Sequence, residues 1–196
     1  MRNQKRMTAR RICVMAGACL LVAAAAVLIG WQWGIRASQQ QMENCVHTIR
    51  ALLPEVQGAV PEERTDNTMP VLSLNETNFI GILEMPRYAS ALPVCADWGQ
   101  VSRYPCCLSG SIYDGSMQIG GTSQKGQYDF YREISVGDSL FFTDMTGNRY
   151  AYTVADLRYE KHADQAALQR RESALTLFVK NVYGFEYLVI CCDAFQ

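Results

Sequence analysis

The sequence has few of the residues from which metal centres and catalytic clusters are built. It contains two histidines and eight cysteines, and no two cysteines have the C-x-x-C spacing. No cysteine occurs between Leu108 and Ile190, and no arginine or lysine follows Lys180. Because protein zinc sites draw on clustered cysteine and histidine ligands, these absences predict a chain without a zinc centre. We expect no metal and no cofactor.

An excess of charge of one sign is also missing. The 196 residues include 18 lysines and arginines against 19 acidic residues, a net charge of −1. Proteins that bind nucleic acid need a surplus of positive charge to neutralise phosphates. The sequence therefore predicts no nucleic-acid partner, and its length suits one domain with appendages.

A long apolar run near the start of the chain predicts a membrane anchor. Residues 12–33 contain no charged residue, and about 20 apolar residues span a bilayer. By the positive-inside rule, the basic head of residues 1–11 stays in the cytoplasm and the remainder lies outside the cell. A cleaved signal peptide is the competing interpretation, but no clear small-x-small cleavage site follows Trp33. We expect a single-pass protein of the cell membrane whose residues 12–33 contact the lipid bilayer.

A helical stalk and a linker are predicted for residues 34–73. Met42, Val46, Ile49 and Leu53 recur at helical spacing, and Pro54 is expected to end the helix. The following residues are rich in proline, glycine and mixed charge, as linkers are. The compact domain is predicted to occupy residues 74–196.

Strand signals dominate that domain. Residues 139–143 and 149–154 flank a turn that contains glycine and asparagine, which predicts a hairpin. Two further apolar runs, 175–179 and 187–191, predict two more strands, and residues 162–172 are expected to form a short helix or a loop. Many short strands with frequent turns indicate a closed barrel or a sandwich.

The cysteines of the domain leave two alternatives open. Buried free thiols that pack as small apolar groups are one. Since an exported chain can form disulfides, the other is one bond from Cys95, Cys106 or Cys107 to Cys191 or Cys192.

Five segments of the domain resemble the motifs of one family. Residues 78–86 read N-F-I-G-I-L-E-M-P, 92–94 read L-P-V, 110–123 read G-S-I-Y-D-G-S-M-Q-I-G-G-T-S, 134–138 read I-S-V-G-D, and 175–180 read L-T-L-F-V-K. In this order and spacing they resemble the sortases, the cysteine transpeptidases of Gram-positive cell surfaces, in a class B- or D-like form. The resemblance covers roughly residues 78–196.

The resemblance implies an eight-stranded β-barrel, with short helices and the N-terminal transmembrane helix before it. It also implies a catalytic histidine, cysteine and arginine. The histidine of the family's A-G-H-N motif falls on Thr122, and the cysteine of its T-L-x-T-C motif falls on Lys180. The arginine of the next strand falls near Tyr187, where the preceding loop is about one residue shorter. All three catalytic positions are therefore degenerate in this sequence.

The function expected from this pattern is that of a pseudoenzyme, a catalytically inactive, membrane-anchored sortase-like protein. It would bind a peptide or a partner, or take part in sortase or pilus assembly, at the cell surface. Its expected partners are the sorting-signal peptide of a surface protein or an active sortase. One alternative is an active cysteine transpeptidase or hydrolase that uses non-standard residues, such as Cys107 or Cys191. A second alternative is a purely structural surface barrel.

Other candidates for chemistry are weaker. Lys180 could act as an amine nucleophile only in a dry pocket with a carbonyl substrate, and an exposed lysine at a strand end is the more ordinary interpretation. Ser123 lacks a plausible base, and His162 is expected to lie on the surface. Three aspartates would be solvated loop carboxylates rather than calcium ligands, namely Asp97, Asp114 and Asp129.

Overall fold

The computed structural model describes residues 2–55, 57–58, 67–161 and 173–195. The chain divides into two compact units, Met1–Gln39 and Gln40–Gln196. His162 and the helix or loop expected over residues 162–172 lie outside the described residues.

The first unit is helical. Helix α1 runs from Arg2 to Leu52, and its last residues belong to the second unit. Within it lies a stretch that is long and apolar enough to cross a membrane, as the sequence predicts. Large apolar side chains there are exposed, including Leu21, Val27 and Trp31. The orientation of this segment across a membrane stays a prediction.

In the second unit, the end of α1 packs against the strands. Met42, Val46 and Ile49 are buried in the main core, as their helical spacing predicts. Arg50 of the helix pairs with Glu84, whose carboxylate also pairs with Arg149 at 2.9 Å. The unit therefore begins at Gln40 and includes this part of the helix, in addition to the domain predicted over residues 74–196.

Ten strands and two short 3-10 helices make up the rest of the described second unit. The helices are Pro86–Tyr88 and Trp98–Gln100. The strands, in chain order, are β1 (Gln57–Gly58), β2 (Leu72–Leu74), β3 (Thr77–Met85), β4 (Ser90–Cys95), β5 (Cys106–Ser109), β6 (Met117–Thr122), β7 (Ser139–Asp144), β8 (Asn148–Glu160), β9 (Leu175–Lys180) and β10 (Tyr187–Ala194).

Eight of these strands close into a barrel. The order of pairing is β8-β10-β9-β6-β5-β4-β3, and β7 pairs with both β3 and β8 to complete the ring. The pairings of β6 with β9 and of β4 with β5 are parallel, and the other pairings in the ring are antiparallel. The predicted eight-stranded barrel is confirmed.

Local turn chemistry explains the predicted hairpin, which β7 and β8 form. Asp144 is fully buried, and its Oδ1 accepts hydrogen bonds from the backbone nitrogens of Thr146 (2.9 Å) and Asn148 (3.0 Å). Gly147 has a φ of +86°, a conformation that side chains with a Cβ rarely adopt. The strands predicted over 175–179 and 187–191 are confirmed as β9 and β10.

The barrel has two faces that alternate along each strand. On β9, Leu175, Leu177 and Val179 belong to the interior core. Phe178 lies on the outer face, in a separate cluster with Val189 and Cys191 against which Leu108 packs. We call these four residues the outer cluster. Because side chains on a strand alternate, Thr176 and Lys180 share this outer face with Phe178.

The seven cysteines whose side chains are described are free. Cys95 and Cys106 are partners in the pairing of β4 with β5, and their thiols lie within hydrogen-bonding reach. Cys191 and Cys192 lie on β10, which does not border β4 or β5. All five cysteines of the domain are free, so the alternative of a bond to Cys191 or Cys192 is wrong and that of free thiols is confirmed.

Candidate functional site

The three positions that the resemblance assigns to catalysis lie side by side at one end of the barrel. Thr122 ends β6 and is the register partner of Lys180, which ends β9. Lys180 is in turn the register partner of Tyr187, which begins β10. Register partners on paired strands project from the same face of a sheet. Thr122, Lys180 and Tyr187 thus form one row on the outer face, which we call the polar row.

Backbone hydrogen bonds fix where the strands of the row end. The nitrogen of Ser123 donates to the carbonyl oxygen of Lys180 (2.9 Å). The Ser123 hydroxyl accepts from the nitrogen of Val182 (3.1 Å), and Ser123 is 6% exposed. Ser123 therefore links the two strand ends through its backbone and its side chain, a structural role.

A buried glutamine forms a hydrogen bond with the backbone of Thr122. The nitrogen of Thr122 donates to Oε1 of Gln127 (2.9 Å), and Nε2 of Gln127 donates to the carbonyl oxygen of Val101 (3.3 Å). Gln127 is 1% exposed. The buried Oγ1 of Thr122, by contrast, has no hydrogen-bond partner among the described residues.

Trp98 lies on the outer face next to the row. A Cβ atom added at Gly120 would overlap the Trp98 ring, so the absent side chain lets the indole approach the backbone of β6. Gly120 precedes Thr122 by two residues and shares its face. Trp98 is 44% exposed, which leaves its side chain available for contact with a ligand.

The loop between β9 and β10 brings two more exposed aromatic rings to this end of the barrel. Tyr183 is 80% exposed and Phe185 is 92% exposed. The turn is closed by Asn181, whose Oδ1 accepts from the nitrogen of Tyr183 at 3.0 Å. We call Trp98, Tyr183 and Phe185 the aromatic rim. Exposed aromatic residues beside a polar row are typical of a surface that contacts a ligand.

A cleft of about 220 Å³ opens beside the same strand ends. Leu188 and Tyr159 contribute to it, and as register partners they project from the same face, which alternation along β10 makes the face opposite to that of Tyr187. The Nε of Arg132 in this cleft donates to the hydroxyl of Tyr131 (2.8 Å). The polar row and the cleft therefore lie on opposite faces of the same strand ends.

The thiols have the wrong surroundings for a nucleophile. Burial raises the pKa of Cys107, and burial also raises the pKa of Cys192. Cys191 lies in the outer cluster and is 7% exposed. Its register partner Asp156 accepts a hydrogen bond from Nε of Arg158 (2.6 Å), which lowers the Asp156 pKa and makes that carboxylate a weak base.

The remaining sequence candidates have structural or surface positions. Asp97 accepts from the nitrogen of Gly99 (2.9 Å) at the start of a 3-10 helix. Asp114 accepts from the nitrogens of Ser111 (3.3 Å) and Ser116 (3.1 Å) in a turn. Asp129 is exposed. Within the described ranges, no three histidine, cysteine or acidic side chains are arranged to hold a metal ion.

Sequence reasoning missed Trp98 and Gln127. Neither belongs to a motif, and both reach the site from segments that are distant from β9 in the chain. The consecutive glycines Gly120 and Gly121 carried a usable signal, because strand glycines mark the close approach of another group. A Cβ at Gly121 would overlap Tyr128, so both glycines accommodate aromatic rings, one on each face.

Comparison with solved structures places this barrel among known folds. Sortase C1 from Streptococcus agalactiae is 18% identical, with 63% of this chain and 71% of that chain covered and a TM-score of 0.51. The complex of that sortase with MTSET matches at 17% identity, 60% and 70% coverage and a TM-score of 0.51. Sortase A from Listeria monocytogenes matches at 16% identity, 60% and 88% coverage and a TM-score of 0.51.

No protein-family model matches the sequence, and no curated protein matches it either. The class B- or D-like character that the motifs indicate stays a prediction. The closed ring of eight strands and the solved neighbours agree on the architecture. The barrel of this chain has the sortase fold.

Proposed function

We propose that the protein is a membrane-anchored, noncatalytic sortase-like protein that binds an extended sorting-signal peptide at the cell surface. The observation that carries the proposal is the polar row. The positions that the resemblance assigns to histidine, cysteine and arginine are adjacent in space and hold Thr122, Lys180 and Tyr187.

The chemistry of the row supports the loss of catalysis. A sortase-type reaction needs a thiolate that attacks a carbonyl, a histidine that moves protons, and a guanidinium that stabilises the oxyanion. An ammonium group, an aliphatic hydroxyl and a phenol supply neither the thiolate nor a group that exchanges protons near neutral pH, and the guanidinium is absent as well. The one histidine among the described residues, His47, is exposed on α1 and is absent from the row.

The surface around the row supports retained binding. The aromatic rim gives it exposed apolar contact area, and the polar row and nearby backbone groups give it hydrogen-bonding partners. Ligand sites commonly combine apolar walls with a few polar groups in this way. A purely structural barrel would have no need to keep three aromatic rings exposed at one end.

The proposed location follows from the apolar helix and the basic residues before it. The head would lie in the cytoplasm and the barrel outside, where a sorting-signal peptide is present. Protease added to intact protoplasts should degrade the barrel and spare an N-terminal tag. A barrel that is protected from the protease would contradict this orientation.

Binding is tested with the full-length chain in detergent micelles and a fluorescein-labelled peptide of the LPxTG type. We expect saturable binding by fluorescence polarisation without cleavage of the peptide. The matched control is a Trp98→Ala variant, which should bind more weakly because it removes part of the aromatic rim. A peptide of the same composition in scrambled order controls for nonspecific adhesion, and equal binding of both peptides would contradict the proposal.

A further inference from the structure

The polar row presents a positive charge that the barrel does not neutralise. The Lys180 side chain is exposed, and within the described part of the chain it forms no ion pair. It lies at the centre of the row, between its two register partners. A lysine in this position offers three donors to an anion.

Hydroxyl groups flank the ammonium on both sides. Thr122 contributes an Oγ1 that is buried without a partner among the described residues. Leaving such a group unpaired costs free energy, which a ligand oxygen can recover once the threonine changes its rotamer. Tyr187 contributes a phenol from a half-buried position on the other side. One cation between two hydroxyl donors suits a carboxylate, which has two acceptor oxygens.

The charged groups that share this face on β8 are two strands away, and the acidic residue beside the row is Glu186, the exposed residue before Tyr187. Glu160 is the register partner of Tyr187, so β10 separates it from Lys180. Arg158 lies opposite Val189 and donates to Asp156. Lys180 is therefore the cation of the row, and it is the group that an anionic ligand there would contact.

We infer that the polar row binds the C-terminal carboxylate of a peptide, with Lys180 as the ionic partner and the hydroxyls of Thr122 and Tyr187 as donors. The preceding residues of the peptide lie against the exposed aromatic rim. This inference rests on the proposed peptide-binding function and specifies its ligand. The row therefore binds the C-terminus of a peptide, whereas a sortase-type site would attack a carbonyl group within the peptide chain.

The experiment compares three labelled probes on the full-length chain in detergent micelles. The first is the peptide Leu-Pro-Ala-Thr with a free carboxylate, the second is its C-terminal amide, and the third is the amide of Leu-Pro-Asp-Thr. We expect the acid to bind about fivefold more tightly than its amide, the upper end of what an exposed charge pair contributes. The preference should shrink as salt is raised, because the lysine is exposed.

Three substitutions assign the effect to residues. Lys180→Gln should remove the preference for the acid, whereas Lys180→Arg should retain most of it because the charge remains. Lys125→Gln, at another exposed lysine on the loop after β6, is the matched control and should leave the preference unchanged. Thr122→Val should lower the affinity for the acid about threefold and leave that for the amide unchanged.

The outcomes separate this inference from the function on which it rests. Equal binding of acid and amide would overturn the inference and leave peptide binding in place. If the aspartate-containing amide binds as tightly as the acid, the row recognises a side-chain carboxylate, and the assignment to a chain terminus is wrong. If none of the probes binds but the LPxTG-type peptide does, the inference fails and the proposed function stands; if that peptide does not bind either, both fail. A preference for the acid that survives in Lys180→Gln would also overturn the inference. Thermal melting of each variant shows whether that variant is folded.

Discussion

The indole of Trp98 lies directly over Gly120, where β6 has no side chain. The space above the strand is therefore filled by a residue from the segment between β4 and β5. The arrangement connects an exposed ring of the aromatic rim to the strand that carries Thr122. We therefore expect Trp98 to keep its position in the aromatic rim only while residue 120 has no Cβ.

Replacing Gly120 by valine should displace the Trp98 ring from the strand. We expect a loss of about 1–3 kcal/mol in the free energy of unfolding, the usual cost of overpacking, and weaker binding of the peptide probe. In a Trp31→Phe, Trp33→Phe background, the emission of Trp98 should shift to longer wavelength as the ring becomes more exposed. Gly34→Ala is the control, because nothing lies within 4 Å of a Cβ at that position. Unchanged emission in the Gly120 variant would contradict the contact.

A buried carboxylate makes the stability of the barrel depend on pH. Burial tends to raise the pKa of Asp138, but hydrogen bonds from Tyr88 (2.6 Å), the nitrogen of Ser135 (2.9 Å) and Arg87 lower it overall. The folded-state pKa of Asp138 lies below the unfolded value of about 3.9. The stabilisation of the folded state by the ionised carboxylate is therefore fully present above about pH 3.9. It is lost as the pH falls through the folded-state pKa.

Asp138→Asn should accordingly destabilise the protein at pH 7 by about 1–3 kcal/mol, because it weakens a buried hydrogen-bond network. The difference from the unmodified chain should shrink as the pH falls below about 4, because the aspartate of the unfolded chain becomes protonated there and that of the folded chain at a lower pH. Urea unfolding at pH 7 and pH 3 measures this. Asp129→Asn, at an exposed carboxylate, should have little effect at either pH. A difference for Asp138→Asn that is constant with pH would contradict the assignment.

The thiol of Cys107 should be unreactive at neutral pH. Burial raises its pKa, so the thiolate that reacts with alkylating reagents is scarce. We expect Cys107 to react with iodoacetamide at pH 7.5 at least about tenfold more slowly than free cysteine, whose pKa is about 8.5. Digestion and mass spectrometry after timed quenching give the rate, and the same residue in urea-unfolded protein is the control. Fast alkylation in the folded protein would revive the alternative of a non-standard thiol enzyme.

Local patterns made the hairpin and the polar row predictable. Features that depend on contacts between distant segments could not be predicted from the sequence. The turn before Asn148 has its own signature, because the side chain of Asp144 and the positive φ of Gly147 shape it within a few residues. Thr122, Lys180 and Tyr187 lie in or beside motifs with a characteristic spacing. Their adjacency follows once β6, β9 and β10 are neighbours.

The neighbours of Cys95 were not predictable in the same way. Adjacent cysteines indicate which faces of a strand their side chains occupy, but not which strands meet. Strand order in a closed barrel depends on long-range pairing, and that pairing placed Cys106 beside Cys95. Trp98 and Gln127 reach the site for the same reason, through contacts that no short segment encodes.

Turnover of a fluorogenic LPxTG-type peptide tests the central claim most directly. The full-length chain should give background rates, because the nucleophile, the proton shuttle and the guanidinium are lost together and act as a unit. Lys180→Cys alone should stay at background, since Thr122 and Tyr187 provide neither a base nor a guanidinium. The triple variant Thr122→His, Lys180→Cys, Tyr187→Arg should gain weak turnover, because the row already places these positions together. Turnover by the unmodified chain well above background that disappears in Cys107→Ser or Cys191→Ser would contradict the account.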